Sequence, residues 1–137
     1  MVESVVRRAN QKGLAMTPNK RTLDYLRKRG WTCAITETWV PKINIRRDLF
    51  HCIDVLGLRD NECLGVQATT ASNVAARKKK SAGLPELRAW LDAGNDFEVW
   101  GWKKPDGAKK GDKRAVWTVV RWQAGISNGS VAFTRVE

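Results

Sequence analysis

The chain has 137 residues, enough for one domain around a single core and too few for two ordinary ones. Hydrophobic residues supply 42% and charged residues 28%, a globular balance that excludes intrinsic disorder. With 25 Lys and Arg against 14 Asp and Glu, the formal net charge is +11, which points to a polyanionic partner.

Nucleic acid is the first candidate for that partner and an anionic membrane surface the second. No apolar run approaches the length needed to span a bilayer, and no basic amphipathic helix stands out, so the membrane ranks lower. A generic basic protein with a solvated surface is the bland alternative. Cys33, Cys52 and Cys63 are odd in number and lack C-x-x-C spacing, which argues against a disulfide framework and a zinc ribbon. The start, MVESVVRRANQKG, lacks the apolar core of a signal peptide, so a cytoplasmic protein with buried thiols is expected.

Residues 1–16 carry Arg7, Arg8 and Lys12 with little apolar periodicity and are expected to form a basic arm. TPNKRTLDYLRKRG reads as a helix: Thr17 caps it, Pro18 takes its first position, Leu23 and Leu26 share a face, and Gly30 follows its end. WTCAITETWV, residues 31–40, is β-branched and aromatic and predicts one strand, ended by Pro41. PKINIRR follows as a loop. DLFHCIDVLGL (48–58) and ECLGVQATT (62–70) flank Asp60-Asn61 and predict a hairpin with that dipeptide as its turn.

SNVAARKKK predicts a helix begun by Ser72, and GLPELRAWLDAG another with Pro85 near its start and Gly94 near its end. DFEVWGWKK (96–104) predicts a strand and residues 105–114 a basic loop. AVWTVVRWQ and SVAFTRV, within 115–137, predict a terminal antiparallel pair joined through Asn128-Gly129. This order implies an α/β fold in a single domain, residues 1–137, with helices on the faces of a sheet.

One aspartate and one glutamine interrupt the apolar runs of the predicted hairpin. If Asp60-Asn61 is the turn, Arg59 faces Glu62 with opposite charge, and Asp54 lies across from Gln67. Thr69 is then a diagonal neighbour on the same face, and Leu56 and Leu58 continue that face toward the turn. A slip of one residue would separate Asp54 from Gln67. A carboxylate and an amide oxygen aimed at one point suit a hard cation such as Mg²⁺, and such an ion can polarise a phosphate and activate water. The same pair also reads as a satisfied buried contact, with the Gln67 amide donating to Asp54.

Asp54 and the tripeptide Gln67-Ala68-Thr69, with the Leu-Arg-Lys-Arg-Gly-Trp end of the first helix and the stretch RRDLFHCIDVLGL, resemble the PD-(D/E)xK nuclease superfamily. The likeness is to archaeal Holliday junction resolvases and small phage-encoded proteins like them, over roughly residues 17–104. It implies a restriction-endonuclease-like core of helix, three-stranded antiparallel meander, helices and a further strand, followed here by the C-terminal hairpin. It further implies Mg²⁺- or Mn²⁺-dependent hydrolysis of DNA phosphodiesters, on branched or junction DNA, by a homodimer in a bacterial or phage-infected cytoplasm.

In the family the tripeptide is E-x-K, so Gln67 stands for an acidic ligand and Thr69 for the lysine that helps position or activate water. The resemblance implies that Asp54, Gln67 and the Ala68 carbonyl hold the metal. The missing groups are sought nearby. Glu37 is a candidate second carboxylate; Asn73 and Arg77, four apart on the next helix, can share a face toward the hairpin, and Arg77 or Lys78 is a candidate for the missing cation. Asp48 ranks below Glu37, because on an extended strand it would lie about 20 Å from Asp54 at ~3.3 Å per residue. The alternative is a nuclease fold that binds DNA or RNA and has lost the chemistry.

His51 and Cys52 point to opposite faces of a strand and do not suit one zinc ion. Seven tryptophans are many for this length; core packing accounts for most, including Trp100 and Trp102, and Trp39 beside the PKINIRR loop is the candidate for stacking on bases. Arg46 and Arg47, the run Arg77, Lys78, Lys79 and Lys80, and Lys103 and Lys104 with Lys109, Lys110, Lys113 and Arg114 are candidate phosphate contacts, DNA being favoured over RNA. Contacts of that kind read structure more than sequence. Affinity for DNA is expected to fall steeply between 50 and 200 mM salt, roughly 10³-fold or more if six or more phosphates are neutralised; a salt titration of binding that stays flat would remove the polyanion reading.

Overall fold

The computed structural model describes residues 16–109 and 116–137. Nearly all of the expected N-terminal arm, and residues 110–114 of the expected basic loop, lie outside the described residues. The fold is mixed α/β. A six-stranded sheet runs in the order β1 (Thr32–Ile35), β4 (Val55–Arg59), β5 (Glu62–Thr70), β6 (Asp96–Lys103), β7 (Thr118–Ser127) and β8 (Ser130–Arg135). Only β5 and β6 pair in parallel; every other pair in this sheet is antiparallel. The parallel pair is joined by a single turn of 3-10 helix (Ala71–Asn73), α2 (Val74–Ala82) and α3 (Pro85–Asp92), the kind of crossover a parallel pair needs.

Helix α1 (Pro18–Lys28) starts and stops where its sequence directs. Thr17 Oγ1 accepts from the backbone N–H of Lys20, and Pro18 takes the first turn, where a missing N–H does no harm. At the other end Gly30 adopts φ +84°, and the N–H groups of Gly30 and Trp31 donate to the carbonyls of Arg27 and Leu26. These two hydrogen bonds close the helix and turn the chain into β1. Leu23 and Leu26 pack with Val55, Leu64, Val66, Trp100 and Trp102 on one face of the sheet. Cys52, Ile53, Val74, Leu87, Phe97, Val99 and Ala124 form the core of the other face, covered by α2 and α3.

On the α1 face Glu98, only 6% exposed, accepts from Trp100 Nε1 at 2.9 Å and from Arg121 Nε and Nη2 at 2.8 and 3.0 Å. The fork ties β6 to β7 and leaves no unpaired buried charge. Trp102 Nε1 donates to Thr22 Oγ1, so both tryptophans are core residues with their N–H groups satisfied.

The hairpin register is the one its charges require: Arg59 pairs with Glu62 and Val55 with Val66. The flanking strands differ from expectation. The single strand over 31–40 breaks at Thr36, whose N–H donates to Asp54 O and whose Oγ1 donates to Ile53 O, both at 2.7 Å. Beyond that corner the chain leaves the sheet as β2 (Thr38–Val40) and returns as β3 (Ile45–Arg47) in a separate two-stranded ribbon. PKINIRR is therefore a turn and a strand, with Asn44 at φ 51°. The strand over 48–58 also starts late, because residues 49–53 fold back on themselves. Leu49 N donates to Ile53 O, Ile53 N donates to Leu49 O, and Phe50 and His51 take φ 54° and 66° at the bend. Of the three thiols, Cys52 is buried as expected, whereas Cys33 and Cys63 are half-buried.

Gly101 sets how closely the crossover packs on the sheet. A Cβ there would overlap the Val74 side chain and lie 2.9 Å from Ala71 Cα. Since the latter is backbone, it cannot swing aside. Gly101→Ala is expected to lower stability by about 1–3 kcal/mol, read as a lower denaturant midpoint at unchanged slope.

Candidate metal centre

Asp54 is the innermost member of the site. It precedes β4, is 4% exposed, and its backbone N–H donates to Val66 O. Gln67 Nε2 donates to Asp54 Oδ2 at 2.7 Å and the Ala68 N–H donates to the same oxygen at 3.0 Å. Asp54 and Gln67 therefore meet as the hydrogen-bonded buried pair, with the amide nitrogen and not the amide oxygen on the carboxylate. In an extended strand the N–H and C=O of one residue point to the same edge, so the Ala68 carbonyl faces the Asp54 side as well.

Asp48 stands beside Asp54, which corrects its low rank. The separation of about 20 Å assumed an extended strand, and the left-handed bend at Phe50 and His51 removes it. Glu37, at the corner between β1 and β2, completes the group: one carboxylate oxygen from each of Glu37, Asp48 and Asp54 lies within 4.8 Å of the others. Glu37 is held by Asn19 Nδ2, which donates to its Oε2 at 2.7 Å, and by Arg46 Nη1, 3.5 Å from Oε1. Among the described residues no cation forms an ion pair with Asp48 or Asp54.

Acids this close repel. Burial, above all, together with the hydrogen bond and charge of Asp48, pushes the pKa of Asp54 up to about 8, against the opposing pull of the Ala68 N–H and the Gln67 amide. At neutral pH the Asp54 carboxyl therefore retains its proton. Gln67, 1% exposed, leaves its Oε1 without a donor. A buried acceptor without a partner asks for an explanation, and a bound cation is one. The donors are all hard oxygens, three carboxylates with an amide and a carbonyl nearby, which is the chemistry of Mg²⁺ or Mn²⁺ and not of zinc. The residues thus fit a divalent ion held chiefly by Glu37, Asp48 and Asp54.

The other expected site residues are not drawn into this group. Thr69 is buried on the same face as Gln67 but bonds to none of the acids. Asn73 Nδ2 donates to Thr70 Oγ1 and is exposed. Arg77 is half-buried on α2 and pairs with none of the three carboxylates. Lys78 lies 3.6 Å over the Trp122 ring, and Lys103 pairs with Asp106. Lys79 and Lys80 are exposed, Lys104 is half-buried, and Arg46 and Arg47 lie exposed on β3. Trp39, on β2, is 53% exposed.

His51 and Cys52 diverge as expected: His51 faces solvent beside Glu86, while burial pushes the Cys52 thiol up to about 12. Asn19 also belongs to the site through its bond to Glu37, although an asparagine in the first turn of a helix carries no sequence signal beyond capping. A polar cavity of about 190 Å³ near the Arg59–Glu62 end of the hairpin has Arg121 on Glu98, Arg59 beside Glu62 and Arg29 stacked on Tyr25.

The chain matches no protein-family model, no curated protein and no solved structure.

The folded-state pKa of Asp54 exceeds that of the unfolded chain, so folding favours its protonated form. That contribution is complete below the ordinary carboxylate range and is lost as pH rises toward and through about 8. Asp54→Asn, which mimics the neutral acid, is therefore expected to gain Tm relative to the natural chain as pH goes from 5 to 9 in chelator. Mg²⁺ or Mn²⁺ should stabilise the natural chain more at pH 8.5 than at pH 6, because binding must displace the retained proton. Scanning calorimetry of both proteins across that range checks both signs.

Proposed function

We propose that the chain is a metal-dependent DNA endonuclease of the PD-(D/E)xK type, with a restriction-endonuclease-like core, that hydrolyses phosphodiesters in branched or junction DNA. One observation carries the reading: Glu37, Asp48 and Asp54 converge to within 4.8 Å beside the unpartnered Oε1 of Gln67, in a chain whose net charge is +11. The element order supports it, with a helix, an antiparallel three-strand unit, β1-β4-β5, helices and a parallel strand. Asp48 supplies the acid that Gln67 lacks.

When bound, Mg²⁺ or Mn²⁺ supplies Lewis-acid polarisation of the phosphate and a nucleophile from water at neutral pH. The protein's own part is to fix the oxygens. Gln67 Nε2 and the Ala68 N–H lock the Asp54 carboxylate, and Asn19 and Arg46 lock that of Glu37. Locked ligands keep their geometry without reorganisation. Arg46, largely exposed, is the cation that pairs with these acids among the described residues and the candidate for holding a phosphate oxygen. Arg47 and Lys42 on the same ribbon extend that charge along the DNA backbone.

A second reading, nucleic-acid binding without hydrolysis, is favoured by Thr69. It occupies the position of the family's lysine, and neither Arg77 nor Lys78 pairs with the acids.

One assay separates the two. Branched, single-stranded and duplex DNA are incubated with Mg²⁺, Mn²⁺ or chelator, beside Asp48→Asn and Asp54→Asn. Nuclease action predicts cleavage only with metal, lowered on the order of 10²-fold or more by either substitution, since each removes charge stabilisation worth several kcal/mol. Binding without cuts, unchanged by both substitutions, would establish the second reading instead.

A further inference from the structure

We propose that a trough between the β2–β3 ribbon and the start of α1 receives one unpaired nucleobase, stacked on Trp39, from a nucleotide next to the acid cluster. The inference rests on the nuclease reading and deepens it by naming the substrate class: nucleic acid with an unpaired nucleotide at the point of attack.

The trough has a volume of about 290 Å³ and is lined by Thr17, Asn19, Ile35, Glu37, Trp39 and Arg46. That is the small end of the range for small-molecule pockets, suited to one heterocycle and not to a base pair. Ile35, Glu37 and Trp39 alternate along one stretch of chain, so an aliphatic and an aromatic side chain flank a carboxylate. Trp39 is 53% and Ile35 43% exposed, and neither belongs to either core cluster. The six other tryptophans are all buried or half-buried, which leaves Trp39 as the indole with an open face.

Charge supplies the rest. Arg46 pairs with Trp39 across the ribbon, keeps 73% of its side chain exposed and touches Glu37 at 3.5 Å. A guanidinium beside an open indole is the combination that holds a phosphate and its base together. Glu37 belongs both to the trough and to the acid cluster, so a base resting there brings an adjoining phosphate to the cluster. A base inside a duplex has both faces stacked on neighbours; it reaches Trp39 only when unpaired or flipped out.

The test uses the full chain in chelator, so that its outcome is independent of hydrolysis. DNA carrying 2-aminopurine is supplied as a single strand, as a duplex with one unpaired 2-aminopurine, and as a fully paired duplex. The natural chain should quench the probe in the first two. Trp39→Ala should abolish that quenching and weaken binding to those two about tenfold while leaving affinity for the paired duplex unchanged, and Trp39→Phe should restore most of both. The Tm of each variant confirms that it is folded. Quenching and affinity that survive Trp39→Ala, or a loss equal on all three DNAs, would overturn the proposal. Cleavage by the natural chain in Mg²⁺ or Mn²⁺ is scored separately: quenching without cleavage rejects the nuclease reading alone, and cleavage without quenching rejects the trough alone.

Discussion

A carboxyl group shut away from water must be protonated, paired or given a cation, and the surroundings of Asp54 answer that demand. Two donors to it, the Gln67 amide and the Ala68 N–H, come from β5, so the acid is anchored to one of the two central strands of the sheet. Its own backbone is anchored too: its N–H bonds to Val66 O, and its carbonyl accepts from Thr36. The Thr36 contact fixes the corner from which the ribbon departs, and the ribbon carries Arg46 and Trp39. The position of Asp54 thus determines where the nearby basic and aromatic groups stand.

Three acids with Arg46 on Glu37 as their one ion pair among the described residues would be a poor arrangement for stability alone. The retained proton lowers the repulsion in the absence of metal, and the unpartnered Gln67 Oε1 remains as a local cost that packing elsewhere must offset. The core that offsets it is ordinary. Two apolar clusters sandwich the sheet, and the buried Glu98 has donors for both of its oxygens. Ser81 Oγ on α2 is a second buried side-chain atom without a partner among the described residues, so this cost is not confined to the acid cluster.

Much of this could be read from the sequence where local chemistry is explicit. The cap at Thr17, the stop at Gly30, the charge pair Arg59 and Glu62 and the turn at Asn128-Gly129 each name their own geometry. The register of the hairpin followed, and with it the contact between Asp54 and Gln67. What could not be read depended on tertiary bonding. Thr36 breaks a strand of good propensity because its N–H and hydroxyl find carbonyls in another segment. The bend at Phe50 and His51 uses two residues in a left-handed conformation that sequence habit reserves for Gly, Asn and Asp. Without that bend Asp48 lies far from Asp54, and the acid cluster is completed from the loop and not from Arg77.

The sheet divides at its one parallel seam into two antiparallel units, β1-β4-β5 and β6-β7-β8. In the second unit each strand follows its neighbour directly in sequence, and in the first only the small ribbon intervenes. Short-range pairings of this sort close quickly. The seam is different, since Leu64 must find Asp96 and Thr70 must find Trp102 across two helices, and the chain entropy of that search is paid before the pairing returns anything. Loop closure thus weighs most heavily on this seam, and the edge of β5 that β6 covers has no backbone partners until the seam forms.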